Sequence, residues 1–253
     1  MQSTYLLSYP PTCLIMLKKR IIPTLLLKNG RVVKTIQFAN ERDTGYPITA
    51  ASVYDGQRVD ELMILDIEAS EEGRGTLLEM IEEMSEECFM PLCVGGGIRS
   101  VDDIRILLKS GADKVAINTA AVEVKGLIQE AAEVFGNSTI VVSIDVKENP
   151  AGKKEVFIRG GAQATGLDPV QWAQEVEERG AGEIFLTSID RDGTMEGMDI
   201  PLIRSVGDAV SNPGIASGGV GTLAHLREAL GQGGSSAVSA ASIFHFTDQS
   251  PIK

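Results

Sequence analysis

Histidine and cysteine are scarce in this sequence. Only His225 and His245, and Cys13, Cys88 and Cys93, occur among 253 residues. Two histidines leave almost no material for a histidine-based metal site or a Ser-His-Asp triad, so neither a metal nor a cofactor is expected. The cysteines are odd in number and lack metal-ligand spacing, which suits a reducing compartment. Positive charge is also short, at 23 Lys and Arg against 35 Asp and Glu, for a net charge of −12. An acidic chain is repelled by duplex nucleic acid and by anionic membrane surfaces, although a local cluster of phosphate-binding groups remains compatible with it. No apolar run reaches the roughly 18 residues that a spanning helix requires. The charges Lys18, Lys19 and Arg20 follow the mildly apolar N-terminal segment, whereas a signal peptide carries its charges first. Residues 1–16 therefore read as an unstructured extension, and the chain as cytoplasmic.

From residue 17 onward, short apolar runs alternate with amphipathic stretches. Strands are expected at 21–27, 61–67, 91–94, 114–117, 139–145, 183–188, 214–217 and 236–240. Helices are expected near 47–58, 72–87, 100–110, 123–135, 168–179, 199–210 and 221–231. The strands are continuously apolar, as parallel strands covered on both faces are. Eight such units fit an α/β fold of the (β/α)8 barrel type. A repeat supports this reading. ELMILDIEAS (61–70) aligns with EIFLTSIDRD (183–192), VGGGI (94–98) with ASGGV (216–220), and VAINTAAV (115–122) with AVSAASIF (237–244), all at an offset of 122. The expected architecture is one barrel over 17–253, built from half-barrels at about 17–136 and 137–253. Few residues follow SIFHF, so the eighth helix is expected to be missing.

Barrel active sites lie at the C-terminal ends of the strands. Two glycine-rich turns stand there. Gly95-Gly96-Gly97 with Asn118-Thr119 makes one candidate anion cup, and Gly218-Gly219 with Ala241-Ser242 and nearby Asp192-Gly193 makes the other. Paired cups imply a small-molecule substrate with a phosphate at each end. The alternative is that the glycines only serve tight turns. Asp145 ends a strand and could carry a proton between the two anchors, or pair with Lys147. Asp192 could be a second acid or base, position a ligand hydroxyl, or support Gly193 through an Asx-type turn. Asp66 reads as a loop-holding group. The half-barrel alignment places Leu26 opposite Asp145, at an offset of 119, and leucine cannot transfer protons. At the strand starts, Arg20, Glu61, Lys114 and Glu183 could close a ring of paired charges on the barrel floor. His225 is expected on an exposed helix face and His245 beside a packed phenylalanine pair, both structural.

Together KRIIPTLLLKNGRVVK, DELMILDIEAS, VGGGIRS, GADKVAINTAAV, TGLDPVQWAQEVEERGAGEIFLTSIDRDGT, IASGG and SIFHF resemble the cyclase subunit of imidazole glycerol phosphate synthase, over about 17–246. The phosphoribosyl-formimino isomerase of histidine biosynthesis is a weaker match. The resemblance implies a barrel that takes ammonia from a glutaminase partner docked on its floor and closes an imidazole ring on a bis-phosphorylated ribulosyl substrate. It implies that Gly97, Asn118 and Thr119 hold one phosphate, and Asp192, Gly193, Gly219 and Ser242 the other. Lys34 would lie on a mobile first loop, Asp145 would be the general acid, and Arg20, Glu61, Lys114 and Glu183 would form an ammonia gate. One departure stands out: the family's other catalytic aspartate belongs at Leu26. TLLLKNG and SEECFMPL resemble a divergent branch that accompanies surface-polysaccharide genes and is thought to serve amidation of a sugar. A barrel that only activates the glutaminase is the third reading.

Overall fold

In this computed structural model, which describes residues 18–73 and 75–245, the apolar runs form eight parallel strands. They are β1 (Arg20–Lys28), β2 (Leu62–Asp66), β3 (Leu92–Gly95), β4 (Lys114–Ile117), β5 (Ile140–Glu148), β6 (Glu183–Ser188), β7 (Gly214–Ser217) and β8 (Ala237–Ala240). Each strand pairs with the next, and β8 pairs with β1, so the sheet closes on itself. The connecting helices are α1 (Pro47–Gly56), α2 (Leu78–Glu87), α3 (Val101–Lys109), α4 (Leu127–Phe135), α5 (Pro169–Glu178), α6 (Ile200–Gly207) and α7 (Leu223–Gly231). The expected helix at 72–87 is shortened to α2, because Gly73 and Gly75 carry a high helix cost. The expected extension over 1–16, the missing eighth helix, Cys13 and the surroundings of the His245 side chain lie outside what is described. No helix among the described residues is long and apolar enough to cross a membrane.

Two cores explain the apolar strands. Alternate residues such as Leu25, Leu27, Ile64 and Val94 face the helices in one large cluster. The opposite faces meet inside the barrel, where Ile22, Met63, Cys93, Ala116, Val141, Phe185, Ile215 and Ala237 form a closed layer, one residue from each strand. Above it, towards the mouth, Thr24, Ser143, Thr187 and Ser239 make a buried hydroxyl layer, with Thr24 and Ser239 in direct hydrogen-bond contact. Cys88 and Cys93 are buried free thiols, and burial pushes both above the usual thiol range.

The first strand of each half runs past the mouth into an unexpected antiparallel hairpin. β1 pairs with Arg31–Ile36, which pairs with Ala39–Gly45. β5 pairs with Lys154–Ile158, which pairs with Gln163–Ala164. The first hairpin turns at Asn29-Gly30, with φ of 50° and 69°. Positive φ at both central residues is the type I′ requirement that Asn-Gly satisfies at low cost.

Candidate active site

The barrel mouth opens on a cavity of about 460 Å³ lined by both glycine turns, both hairpins and the ends of the strands. Asp145 stands in its wall and is 8% exposed. Its Oδ2 accepts from the Asn118 amide at 3.2 Å, and its Oδ1 accepts from the Ser143 hydroxyl at 3.4 Å. Burial is the largest influence on this carboxyl and lifts it to about 7; the charge of Asp192 adds to the rise, while hydrogen bonds from Ser143 and Thr187 oppose it. A carboxylic acid poised near neutrality can give or take a proton. Lys147, the alternative partner considered for Asp145, lies instead with its ammonium 6.0 Å from the centre of the Phe157 ring.

Leu26 also lines the cavity. It sits beside Leu65 in the β1–β2 register, so an apolar patch occupies that part of the wall. The inward residues Ile22, Thr24 and Leu26 of β1 correspond to Val141, Ser143 and Asp145 of β5 at the offset of 119. The opposition of Leu26 and Asp145 therefore holds in side-chain direction as well as in alignment.

The glycine turns repeat each other closely. Gly96 and Gly218 have φ of 113° and 95°, and Gly97 and Gly219 have φ of 68° and 96°. A Cβ on Gly96 would lie 2.3 Å from the Asp66 carbonyl oxygen, and one on Gly218 would lie 2.6 Å from that of Ser188. Asp66 and Ser188 are themselves a repeat pair, so each turn is pressed against the same strand end in its own half, where only glycine fits. Ser242 is buried in the cavity wall below the second turn. Asp66 is otherwise engaged: its Oδ1 accepts from the backbone N–H groups of Glu68 and Ala69, which holds the turn after β2.

Four residues expected to hold phosphate have partners within the protein. One is Gly97, whose N–H donates to the Ser70 hydroxyl at 3.3 Å. Asn118 spends its amide on the Ser143 carbonyl and on Asp145, and so orients the acid. The Thr119 hydroxyl donates to Asn118 Oδ1 at 3.3 Å and accepts from the Arg159 N–H at 3.1 Å. Asp192 accepts from the Lys34 ammonium at 3.3 Å and from the Thr35 hydroxyl at 3.1 Å. Lys34 itself is 6% exposed and lies in a hairpin strand, not in an open loop. The segment, which joins β1 to α1, pairs back on β1, and Asp192 neutralises the buried ammonium. The Gln37 N–H also donates to the Asp192 carbonyl at 2.8 Å, which ties the hairpin to the loop after β6. Gly193 adjoins this contact at the cavity edge.

Several lining residues gave no clear sequence signal: Phe38, Glu41, Glu68 and Arg159. Lys28, at the end of β1, bonds Glu41 at 2.6 Å and approaches Glu68 to 3.7 Å. Arg159 pairs with Glu123 at 2.7 Å. The Asn29-Gly30 dipeptide was the available clue to the first hairpin, and hence to Phe38 and Glu41.

At the opposite pole, the four floor charges close into a ring. Arg20 bonds Glu61 at 2.6 Å and Glu183 at 3.0 Å, and Lys114 bonds Glu61 at 3.0 Å and Glu183 at 3.1 Å. Burial alone would depress the Lys114 ammonium, but attraction to Glu61 and Glu183 outweighs it and holds the group above its ordinary value. Glu61 is the most buried member, with its side chain 3% exposed. Glu61→Gln removes the more buried of the two carboxylates that both cations share and should destabilise the barrel by about 3 kcal/mol. Urea unfolding measures this, and a loss below about 1 kcal/mol would mean that the ring behaves as exposed surface pairs do.

A closed (β/α)8 barrel, doubled from one half-barrel unit and carrying matched glycine turns around a mouth cavity, is the class that fold and site define. Within that class, the sequence model described as histidine biosynthesis protein matches residues 20–250, and the chain belongs to this family of barrels.

Proposed function

We propose that this barrel is a cyclase-type subunit of an imidazole glycerol phosphate synthase-like complex. It receives ammonia from a glutaminase partner at its floor and delivers it to an acceptor that carries a phosphate at each end and spans the mouth. The observation that carries this reading is the matched pair of glycine turns flanking Asp145, with the charged ring at the other pole. In this reading the backbone N–H groups at Gly97 and Gly219, with Thr119, Gly193 and Ser242 near them, hold the two phosphates. Asn118 orients Asp145. Asp192 holds Lys34 in the wall through an ion pair at 3.3 Å.

Arg20, Glu61, Lys114 and Glu183 act as the gate. Between the gate and the cavity lie the apolar layer and then the hydroxyl layer. The apolar layer favours neutral ammonia over ammonium, because moving a bare charge through it carries a heavy desolvation penalty. Asp145, protonated near neutrality, then supplies a proton to the acceptor as the new carbon–nitrogen bond forms.

Leu26 supports a second reading. Ring closure by a two-acid site lacks its second proton carrier here, so ammonia delivery for amidation of a surface-polysaccharide sugar is the alternative role. The deciding experiment is a cyclase assay with the bis-phosphorylated ribulosyl substrate and excess ammonium salt, without any glutaminase. Free ammonia bypasses partner and gate, so the barrel's own chemistry is read directly. Turnover of about 1–10 s⁻¹ is the ordinary enzyme range and would establish the cyclase role. Bound substrate without turnover would favour amidation or pure activation of the glutaminase.

A further inference from the structure

We infer that His225 is a positioning residue for the second glycine turn, doing with an imidazole what Asp103 does with a carboxylate for the first. The inference rests on reading the Gly218–Gly219 turn as a phosphate cup. His225 follows Asp103 at the repeat offset of 122, as Gly221 follows Arg99 and Thr222 follows Ser100. Ser100 and Thr222 cap α3 and α7 with the same backbone angles, φ −144° and ψ 163°. In the first half, Asp103 Oδ2 accepts from the N–H groups of Arg99 and Ser100, each at 2.9 Å. In the second half, His225 Nδ1 accepts from the Gly221 N–H at 3.1 Å. Each turn thus has a side-chain acceptor at the same repeat position that fixes the segment leaving its glycines.

The imidazole reaches further than the carboxylate does. A Cβ on Gly197 would lie 3.6 Å from His225 Nε2, so the ring rests against the loop after β6 as well. That loop is bonded to the cup directly, because the Gly197 N–H donates to the Gly219 carbonyl at 2.9 Å. His225 therefore touches both segments that set the direction of the Gly219 peptide. An accepting Nδ1 requires the neutral ring protonated on Nε2. The expectation of a histidine on an exposed helix face is corrected accordingly: the ring is half-buried, because it turns back over the first turn of α7 to reach Gly221.

The test uses the full chain labelled with ¹⁵N-glycine and titrated with inorganic phosphate, following the assigned amides of Gly97 and Gly219. Both amides should saturate in the unsubstituted protein. His225→Ala should weaken phosphate binding read at Gly219 by about 3- to 10-fold, the worth of one net hydrogen bond. Binding read at Gly97 should stay within about twofold. His225→Asp recreates the arrangement at Asp103 and should restore the Gly219 value to within about twofold of the original. The inference is overturned if His225→Ala leaves Gly219 unchanged, if it weakens both cups equally, or if His225→Asp is no better than alanine. No phosphate response at Gly219 in the unsubstituted protein would overturn the cup reading, and the inference with it.

Discussion

Leu26→Asp should raise ammonium-dependent cyclase turnover by about 10²-fold or more, because a general acid or base typically contributes 10²–10⁴. The position is suited to the change. Leu26 points into the cavity from β1 at the level from which Asp145 points in from β5, and it is only partly buried. A carboxylate there would be wet enough to ionise, while Asp145 stays protonated near neutrality. The pair would then hold one acid and one base, the division of labour that ring closure needs. Losing the leucine contacts with Leu65 should cost about 1–3 kcal/mol of stability, which a barrel with this much buried apolar surface can absorb. Steady-state turnover with saturating ammonium salt is the measurement. An unchanged rate with substrate still bound would mean that the mouth has diverged beyond one position, and amidation becomes the stronger reading.

The position of Leu26 is legible in the sequence for physical reasons. Barrel strands are buried on both faces, so their apolar runs stand out, and duplication supplies an internal ruler at 122 residues. Glycines pressed against backbone, as Gly96 is against Asp66, cannot be replaced cheaply and therefore keep the ruler readable. The floor ring was legible for a similar reason, since Arg20, Lys114 and Glu183 begin otherwise apolar strands and Glu61 immediately precedes one. Apart from the Asn29-Gly30 turn, the hairpins were not legible. Ala39–Gly45 is polar and largely exposed, so it shows no alternation that distinguishes a strand from a loop. The pairing of Lys34 with Asp192 joins residues in different halves of the chain that the repeat does not relate. Asn118 illustrates a subtler limit: its position beside the cup was clear, but its amide turns toward Asp145 through a contact that only the closed sheet creates.

Asp145→Asn should reduce turnover by 10²–10⁴-fold while phosphate affinity stays within about twofold. The amide keeps the shape of the acid and can still accept from Asn118, so the cups need not move. Full activity in this variant would remove Asp145 from the mechanism. The pH dependence gives an independent check. With the carboxyl raised to about 7, the acid form dominates below that pH, and turnover at a fixed concentration of free ammonia should fall about tenfold per pH unit above it. Stability should move with the same group. The unfolded chain loses this proton near pH 3.8, whereas the folded protein keeps it until about 7. The stabilising contribution is thus fully present below pH 3.8 and is lost as pH rises through about 7. Asparagine has no proton to lose. The melting temperature of Asp145→Asn relative to the unsubstituted protein should therefore climb by roughly 7–15 °C between pH 4 and pH 8. A constant difference across that range would mean that Asp145 is ionised in the folded state, and an ionised carboxylate cannot be the acid that the cyclase reading requires.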